Sequence, residues 1–494
     1  MLHLQSERLY NFIIIVSDTF RHDLLDGGFF VKPNVNCHTP SLNRFSKDSV
    51  VFKRAYHASF PTVPNRADLL TGRFTYTYYD WSPLPKDEIS LPMILGRKGY
   101  VTMLISDTPH ILKDGYNFDR GFSAWVWIRG QENDRYRTYP EKVDLPCSPE
   151  KLRDVQTTVQ HIRNNYRRDR EEDWIPAKTA MEAVRWLEEN HGRRFLLYVD
   201  FFDPHEPWDP PESYVERYDP GYTGEKVIYP AYGPSDYLEP EELTHVRAMY
   251  AAEASFVDRW IGRIFETVER LGLYEDTFTI FTSDHGFYLG EHSLVGKSII
   301  YGEYHGLAPL YEEVCHIPLM IKPADSFEQA KNGVRHKCLV QTPDIAATMA
   351  NLAGIYEPRI QGKSLVQIIR GEDSEDFRKV AVSTPSLIGG VGSGLRATIT
   401  SGEWSMILAP FANLSNLEGR KHTVIVDGKQ REMKPFGRIS TELYNLALDP
   451  KQKCNVLEEN IELARELHTE FLKNLKSLGT QDKIVEPWLK CKGI

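Results

Sequence analysis

Asn11–Ser17 (NFIIIVS) is an unbroken apolar run, rich in β-branched side chains, that stops at Asp18. A stretch apolar at every position, rather than at alternate ones, reads as a strand covered on both faces, as in a parallel sheet. Further strands are read at Val101–Ser106 (VTMLIS), at 195–200 (FLLYVD), at 277–283 (TFTIFTS) and at 317–321 (IPLMI). Helical patterns lie between these runs, at 91–99, 177–189, 246–271 and 342–353. The third is the clearest. Val246, Tyr250, Ala254, Val257, Ile261, Ile264, Val268 and Leu271 recur at spacings of three and four, which is one helical face. Strands alternating with helices predict an α/β fold with a mostly parallel sheet and helices on both faces.

The pattern changes after residue 378. Short strand-like runs at 379–383, 397–399, 404–408 and 422–426 follow without long helices between them, and an amphipathic helix at 461–478 closes the chain. The reading is a large domain over 1–378 and a smaller C-terminal α+β domain over 379–494, an antiparallel sheet with a helix on it. The charge-dense stretch 150–170, with its several arginines, reads as a solvated helix face.

Composition narrows the class. The 494 residues are 41% hydrophobic and 26% charged, with a formal net charge of −10. That balance argues against general nucleic-acid binding and against adhesion to anionic membrane. No apolar run approaches the roughly 18 residues that cross a bilayer. Six irregularly spaced cysteines suit neither a disulfide framework nor a CxxC metal site. The first residues lack a signal-peptide design, so a cytoplasmic protein with reduced cysteines is expected.

Ligands of open α/β sheets bind beyond the carboxyl ends of the strands. Asp18 and Asp284 follow two different strands, and His285 follows Asp284 directly. Two carboxylates and an imidazole converging there are sensible ligands for one divalent cation. A second cluster is TVPNRADLLTGR, from Thr62 to Arg73. Pro64 near the start and Gly72 at the end bracket a short helix. Thr62 falls at or just before its N-cap, where free N–H groups favour an anion. Arg66 can fold back beside Thr62 and offer a forked guanidinium to a tetrahedral oxyanion. A hydroxyl beside a metal has a lowered pKa and becomes a nucleophile.

These pieces resemble the sulfatase family of the alkaline phosphatase superfamily. The matching segments are IIIVSDT ending at Thr19, the stretch from Thr62 to Arg73, and DPHEPW around His205. FTSDHGFYLGEH around Asp284 and His285 also matches, followed by Gly296-Lys297, QGKSL from Gln361, and ELYNLALDP up to Pro450. They occur in the family's order across essentially the whole chain. The resemblance implies an alkaline-phosphatase-like fold and metal binding by Asp18, Asp284 and His285, with Thr62 at the nucleophile position. It also implies that Arg66 holds the oxyanion or the nucleophile, that Lys297 contacts the transferred group, and that His205 serves the leaving group.

Three departures from the family pattern shape the expected activity. Sulfatases of the family convert Cys or Ser at the nucleophile position to formylglycine; Thr62, with a methyl on its Cβ, cannot become that aldehyde. Thr19 and His285 replace an Asp and an Asn of many sulfatases, which shifts the expected ion from Ca²⁺ toward Mn²⁺, Zn²⁺ or Fe²⁺, with Mg²⁺ and Ca²⁺ still open. The family's Gly-Lys-Trp-His segment corresponds to 106–110, where Thr108 and His110 become substrate-binding candidates and the missing Lys predicts a less positive pocket. Asp200 and Asp203 lack the Asp-x-x-x-His spacing of a second metal site with His205, so one ion is expected. The extension 298–309 after Lys297 predicts an entrance lined by Tyr301, Tyr304 and His305, and the aromatic run 74–81 does the same.

The expected function is a metal-dependent hydrolase of small anionic esters acting through Thr62, leaning to phosphodiesters or phosphonate monoesters. The alternatives are a sulfuric ester hydrolase working without formylglycine, a transferase, and a catalytically inactive binding homologue. A homo-oligomer is left open.

Overall fold

The computed structural model describes residues 9–301, 304–328, 330–372, 377–388, 394–410, 422–426, 429–433 and 440–494; of 301, 304, 305, 422–426 and 429–433 only the backbone is considered. Eight strands make the main sheet. In chain order they are β1 (Asn11–Ser17), β2 (Val50–Phe52), β3 (Val101–Ser106), β4 (Ala124–Trp127), β5 (Phe195–Phe201), β6 (Thr277–Thr282), β7 (Leu319–Lys322) and β8 (Arg335–His336). Their spatial order is β8-β2-β7-β6-β1-β5-β3-β4. The NFIIIVS run is central, pairing in parallel with β5 (Ile14 opposite Tyr198) and with β6 (Ile14 opposite Ile280).

Both faces of β1 are buried, which is why its residues 12–16 are all apolar. Ile13 and Ile15 join Leu197, Val199, Phe281 and the inner face of the helix Pro240–Arg270 in one core. Phe12, Ile14 and Val16 join Leu196, Tyr198, Ile280, and Ile345 and Met349 of the helix Pro343–Leu352 in another. The long helix starts before its apolar stripe, with Pro240 in its first turn and Glu239 and Glu242 forming a capping box.

The strand read at 317–321 departs from expectation. It forms as Leu319–Lys322 and runs antiparallel to both neighbours. The chain reaches it from β6 through the Asp284–Cys315 excursion, without a crossover helix across the sheet face, and a parallel return needs such a crossover.

A second sheet has the order Glu442–Asn445, Trp404–Leu408, Ala397–Ser401, Ala381–Pro385 and Ser59–Phe60. The helix Ile461–Ser477 buries Ala464, Leu467, Phe471 and Leu475 in its core. Its last strand comes from the N-terminal part of the chain: Ser59 and Phe60 pair in parallel with Thr384 and Pro385. The strand read at 422–426 forms, but it pairs in a hairpin with Lys429–Met433 rather than joining this sheet.

Candidate active site

Asp18 and Asp284 lie just beyond the carboxyl ends of adjacent strands β1 and β6, and both are fully buried. Thr19 sits at φ 61°, an unusual conformation for a β-branched residue. That turn lets its N–H donate to Asp284 Oδ1 at 2.9 Å while its hydroxyl donates to Asp18 Oδ1 at 2.7 Å. Gly286 admits no side chain, because a Cβ there would drive into the carbonyl of Glu313. This close approach fixes the loop that carries His285.

Among the described residues, Asp18, Asp284 and His285 form the one group of three whose ligand atoms converge, all within 4.8 Å of one another. His285 Nδ1 lies 3.1 Å from the carbonyl of Gly286, so it carries the proton and Nε2 faces the carboxylates. Burial first, and then the charge of Lys297, hold this imidazole well below its ordinary pKa. It is therefore neutral, the form in which imidazole binds metals. Burial and the nearby Asp284 push the Asp18 carboxyl up.

Arg66 also lies here. It is buried, with Nη1 2.9 Å from Asp18 Oδ2 and in contact with Asp284, and Nη2 2.8 Å from Asp200 Oδ1. The resemblance gives it the oxyanion or the nucleophile to hold; in this structure its fork lies on the three aspartates. The reason is electrostatic: three buried carboxylates around one guanidinium leave an excess of two negative charges, so the cation turns inward. That excess, with the inward-facing Nε2 of His285, fits one divalent cation.

Thr62 opens the helix Thr62–Thr71; Pro61 is the N-cap, so Thr62 is the first helical residue rather than the cap itself. Its hydroxyl lies 3.4 Å from His285 Nε2. Three devices hold the helix in place. Asp68 accepts from the Ser59 N–H at 2.6 Å and the Thr75 N–H at 2.8 Å, clamping the chain on both sides of the helix. Gly72 ends it at φ 68°, its N–H on the Asp68 carbonyl. Asn65 donates to the carbonyl of Asp284 and the hydroxyl of Thr342, both at 3.2 Å.

A cleft of about 470 Å³ opens over Thr62. Lys297, His205 and His110 line it as expected, as do Asp80 and Trp81 from the end of the aromatic run 74–81. Lys297 Nζ lies 3.4 Å from His285 Nε2 and 3.5 Å from Thr19 Oγ1. Phe74 and Tyr76 of the aromatic run are instead buried in the second core. Thr108 is not a lining residue: it is fully buried and donates to Asp200 Oδ1 at 2.7 Å. His305 is on the strand Tyr304–Gly306, paired with Ile300, and its side chain, like those of Tyr301 and Tyr304, lies outside the described residues. Pro385, Ser386 and Leu395, from the second sheet and its loops, complete the wall.

Sequence reading missed one group of residues. Arg153, from the stretch read as a solvated face, lines the cleft. Its Nη1 lies 2.9 Å from Glu206 Oε1 and 3.9 Å from Glu132 Oε1, and its guanidinium stacks over Tyr229 and Tyr232. Arg153 is thus a cation that the sequence reading did not count, and the carboxylates of Glu206 and Glu132 beside it offset its charge. Arg168 of the same stretch also turns inward, to Asp209 at 2.6 Å. Glu206 stands beside His205 in a recognisable motif and could have been found there; nothing local marks Arg153 or Glu132. Burial alone would raise Glu132, but His110, Arg153 and the Tyr229 hydroxyl hold its carboxyl well below the usual range.

The sulfatase family profile matches residues 10–355. The chain belongs to the sulfatase family. An ulvan-active sulfatase from Formosa agariphila is 26% identical over 493 residues, covering 97% of this chain and 84% of that protein. A phosphonate monoester hydrolase of Agrobacterium radiobacter superposes with a TM-score of 0.66 at 21% identity, over 95% of each chain. A structure determined with its substrate, D-glucosamine-2-N,6-O-disulfate, superposes with a TM-score of 0.68 at 18% identity, over 98% of this chain and 100% of that one. The alkaline-phosphatase-like fold expected from the sequence is therefore the fold of this family member, and the relatives span both sulfate and phosphonate esters.

Proposed function

We propose that this sulfatase-family hydrolase cleaves singly charged esters, phosphodiesters or phosphonate monoesters foremost, through Thr62 as nucleophile. The observation that carries the reading is the Thr62 hydroxyl, 3.4 Å from the unprotonated Nε2 of His285 at the floor of the cleft. A divalent ion held by Asp18, Asp284, His285 and the Thr62 hydroxyl would supply Lewis-acid polarisation and a lowered hydroxyl pKa there. The mixed imidazole and carboxylate set favours Mn²⁺, Zn²⁺ or Fe²⁺ over Ca²⁺, with Mg²⁺ also compatible.

Charge supports the substrate class. Outside the metal cluster, Lys297 and Arg153 face Glu206 and Glu132, so the cleft wall adds little net charge. A monoanion suits such a wall better than a dianionic phosphate monoester. Lys297 and the first-turn N–H groups of the Thr62 helix then bind the non-bridging oxygens. His205 donates through Nδ1 to the carbonyl of Glu206 at 2.6 Å, which orients its other nitrogen.

A sulfate ester is also a monoanion, and the Formosa relative is a sulfatase. A sulfatase working without formylglycine is therefore the second reading. No disulfide joins the described cysteines, which supports a reducing, cytoplasmic setting.

The test is a parallel assay of metal-loaded protein and Thr62→Ala on p-nitrophenyl sulfate, p-nitrophenyl phosphate, bis(p-nitrophenyl) phosphate and p-nitrophenyl phenylphosphonate. Dominant diester or phosphonate turnover that vanishes in Thr62→Ala is the expected result. Dominant sulfate turnover would select the second reading. Full activity in Thr62→Ala would overturn both.

A further inference from the structure

Thr62 creates a chemical problem that formylglycine does not have. A formylglycine ester is released by breaking its own C–O bond, whereas an ester of Thr62 can be released only by water attacking phosphorus or sulfur. In-line displacement requires that water to enter opposite Thr62 Oγ, from the face the first leaving group has just vacated. One acid–base residue on that face can therefore serve both steps.

We propose that His110, held by the buried carboxylate of Glu132, is that residue. The assignment rests on Thr62 as nucleophile. His110 Nε2 lies at ion-pair distance, 3.2 Å, from Glu132 Oε2, an oxygen that is buried and has no hydrogen-bond partner. Glu132 is in turn fixed through Oε1, which accepts from the Tyr229 hydroxyl at 2.8 Å and lies 3.9 Å from Arg153. With Nε2 committed to Glu132, Nδ1 is the nitrogen left for chemistry, and the ring borders the cleft. Its other neighbours are the edge of Trp81, Phe202 and His205, whose ring centroid is 6.4 Å away; Asp80, Lys297 and Arg153 share the cleft wall.

His205 is the competing residue, and its geometry suits another task. Its Nδ1 proton is directed to the carbonyl of Glu206 at 2.6 Å, and it is nearly sealed, at 2% exposure. The carboxylate beside it, Glu206 Oε2 at 3.3 Å, belongs to a side chain already engaged by Arg153 and by Tyr232. His205 is thus fixed as a neutral ring that can accept a hydrogen bond from substrate.

The steps balance. Thr62, its proton already lost to solvent, attacks as the alkoxide and forms the Oγ–P or Oγ–S bond. The bond to the leaving oxygen breaks with its electron pair, and His110 Nδ1–H protonates that oxygen. Water then attacks from the same side, giving its proton to Nδ1 as the bond to Oγ breaks and the alkoxide returns. Glu132 is a positioning residue that steadies the imidazolium.

The experiment is rapid-mixing kinetics with intact-mass analysis on bis(p-nitrophenyl) phosphate, and on p-nitrophenyl sulfate in the same format. His110→Gln should release a burst of about one p-nitrophenolate per chain, accumulate an adduct on Thr62, and turn over about 10²–10³-fold more slowly. Glu132→Gln should show the same adduct with a loss of about tenfold in kcat and an unchanged KM, and it keeps the test alive if His110→Gln fails to fold. Turnover of His110→Gln within about threefold of the parent, without an adduct, would overturn the assignment. So would an adduct accumulating in His205→Gln but not in His110→Gln. An active Thr62→Ala protein, with no adduct in any variant, marks the separate failure of the nucleophile reading and removes the proposal with it.

Discussion

Two buried charged clusters meet at the cleft, and they are built on opposite principles. On the floor, Asp18, Asp200 and Asp284 surround a single Arg66. On the wall, Arg153 and Lys297 stand against Glu132 and Glu206, and the Tyr229 and Tyr232 hydroxyls each donate to Oε1 of one of these carboxylates. The floor carries an excess of carboxylate that a cation from outside would balance. On the wall each carboxylate has a cation close by, so its net charge is small. A buried charge is tolerable only when paired, so the unbalanced cluster marks a cation site and the balanced one sets the charge of the cleft.

The contrast breaks most sharply at the floor. Asp284→Asn should reduce turnover by at least about 10³-fold and abolish stoichiometric divalent metal in the purified protein, read by elemental analysis alongside kinetics. A variant that keeps its metal content would show that the floor is not the cation site. At the wall, Arg153→Met should leave metal content unchanged yet lower unfolding free energy by about 2–4 kcal/mol, since it strands two buried carboxylates. Chemical denaturation measures this, and Arg153→Lys should recover part of it. A neutral Arg153→Met would mean that the wall relaxes to admit water.

Acid titration should separate the two regions by sign. The folded-state pKa of Glu132 is depressed, so its contribution to stability is present above the ordinary carboxylate pKa and fades as pH falls below it. That of Asp18 is raised, so in chelated protein its contribution is present at low pH and is lost as pH rises through the folded value. In chelated protein, melting curves should therefore show the stability difference between parent and Glu132→Gln shrinking as pH falls below the ordinary carboxylate range. The difference between parent and Asp18→Asn should move against the parent as pH rises above that range, so the two difference curves slope in opposite directions. Curves tilting the same way would end the distinction. The smallest effect belongs to the rim. Trp81 is 38% exposed, so Trp81→Ala should change KM several-fold while leaving stability within about 0.5 kcal/mol.

The floor was legible because it is local. Asp18 ends the NFIIIVS strand, Asp284-His285 ends the next one, and TVPNR opens a helix bracketed by Pro64 and Gly72. A strand apolar at every position announces its own burial, and residues at its carboxyl end are placed by that fact alone. Most of the wall was hidden because Arg153 and Glu132 lie in irregular chain with no periodicity. Arg153 looked like one more surface charge in 150–170, and only the packing of that segment against Tyr229 and Tyr232 turns it inward. Thr108 departs in the opposite sense: it was read into the pocket and is turned to buried Asp200, the same carboxylate that takes one side of the Arg66 fork.

By itself, then, the amino-acid order of this protein determined the central strands, the long helix, the carboxylate and imidazole cluster and the hydroxyl beside it. These follow from hydrophobic period and strand-end position, which act over a few residues. Tertiary structure alone decided that Leu319–Lys322 runs antiparallel, that Ser59–Phe60 joins the second sheet, and that Glu132 meets both Arg153 and His110 of the cleft wall. Those choices depend on which distant charges and apolar faces must be satisfied together, and that balance exists only once the chain is closed.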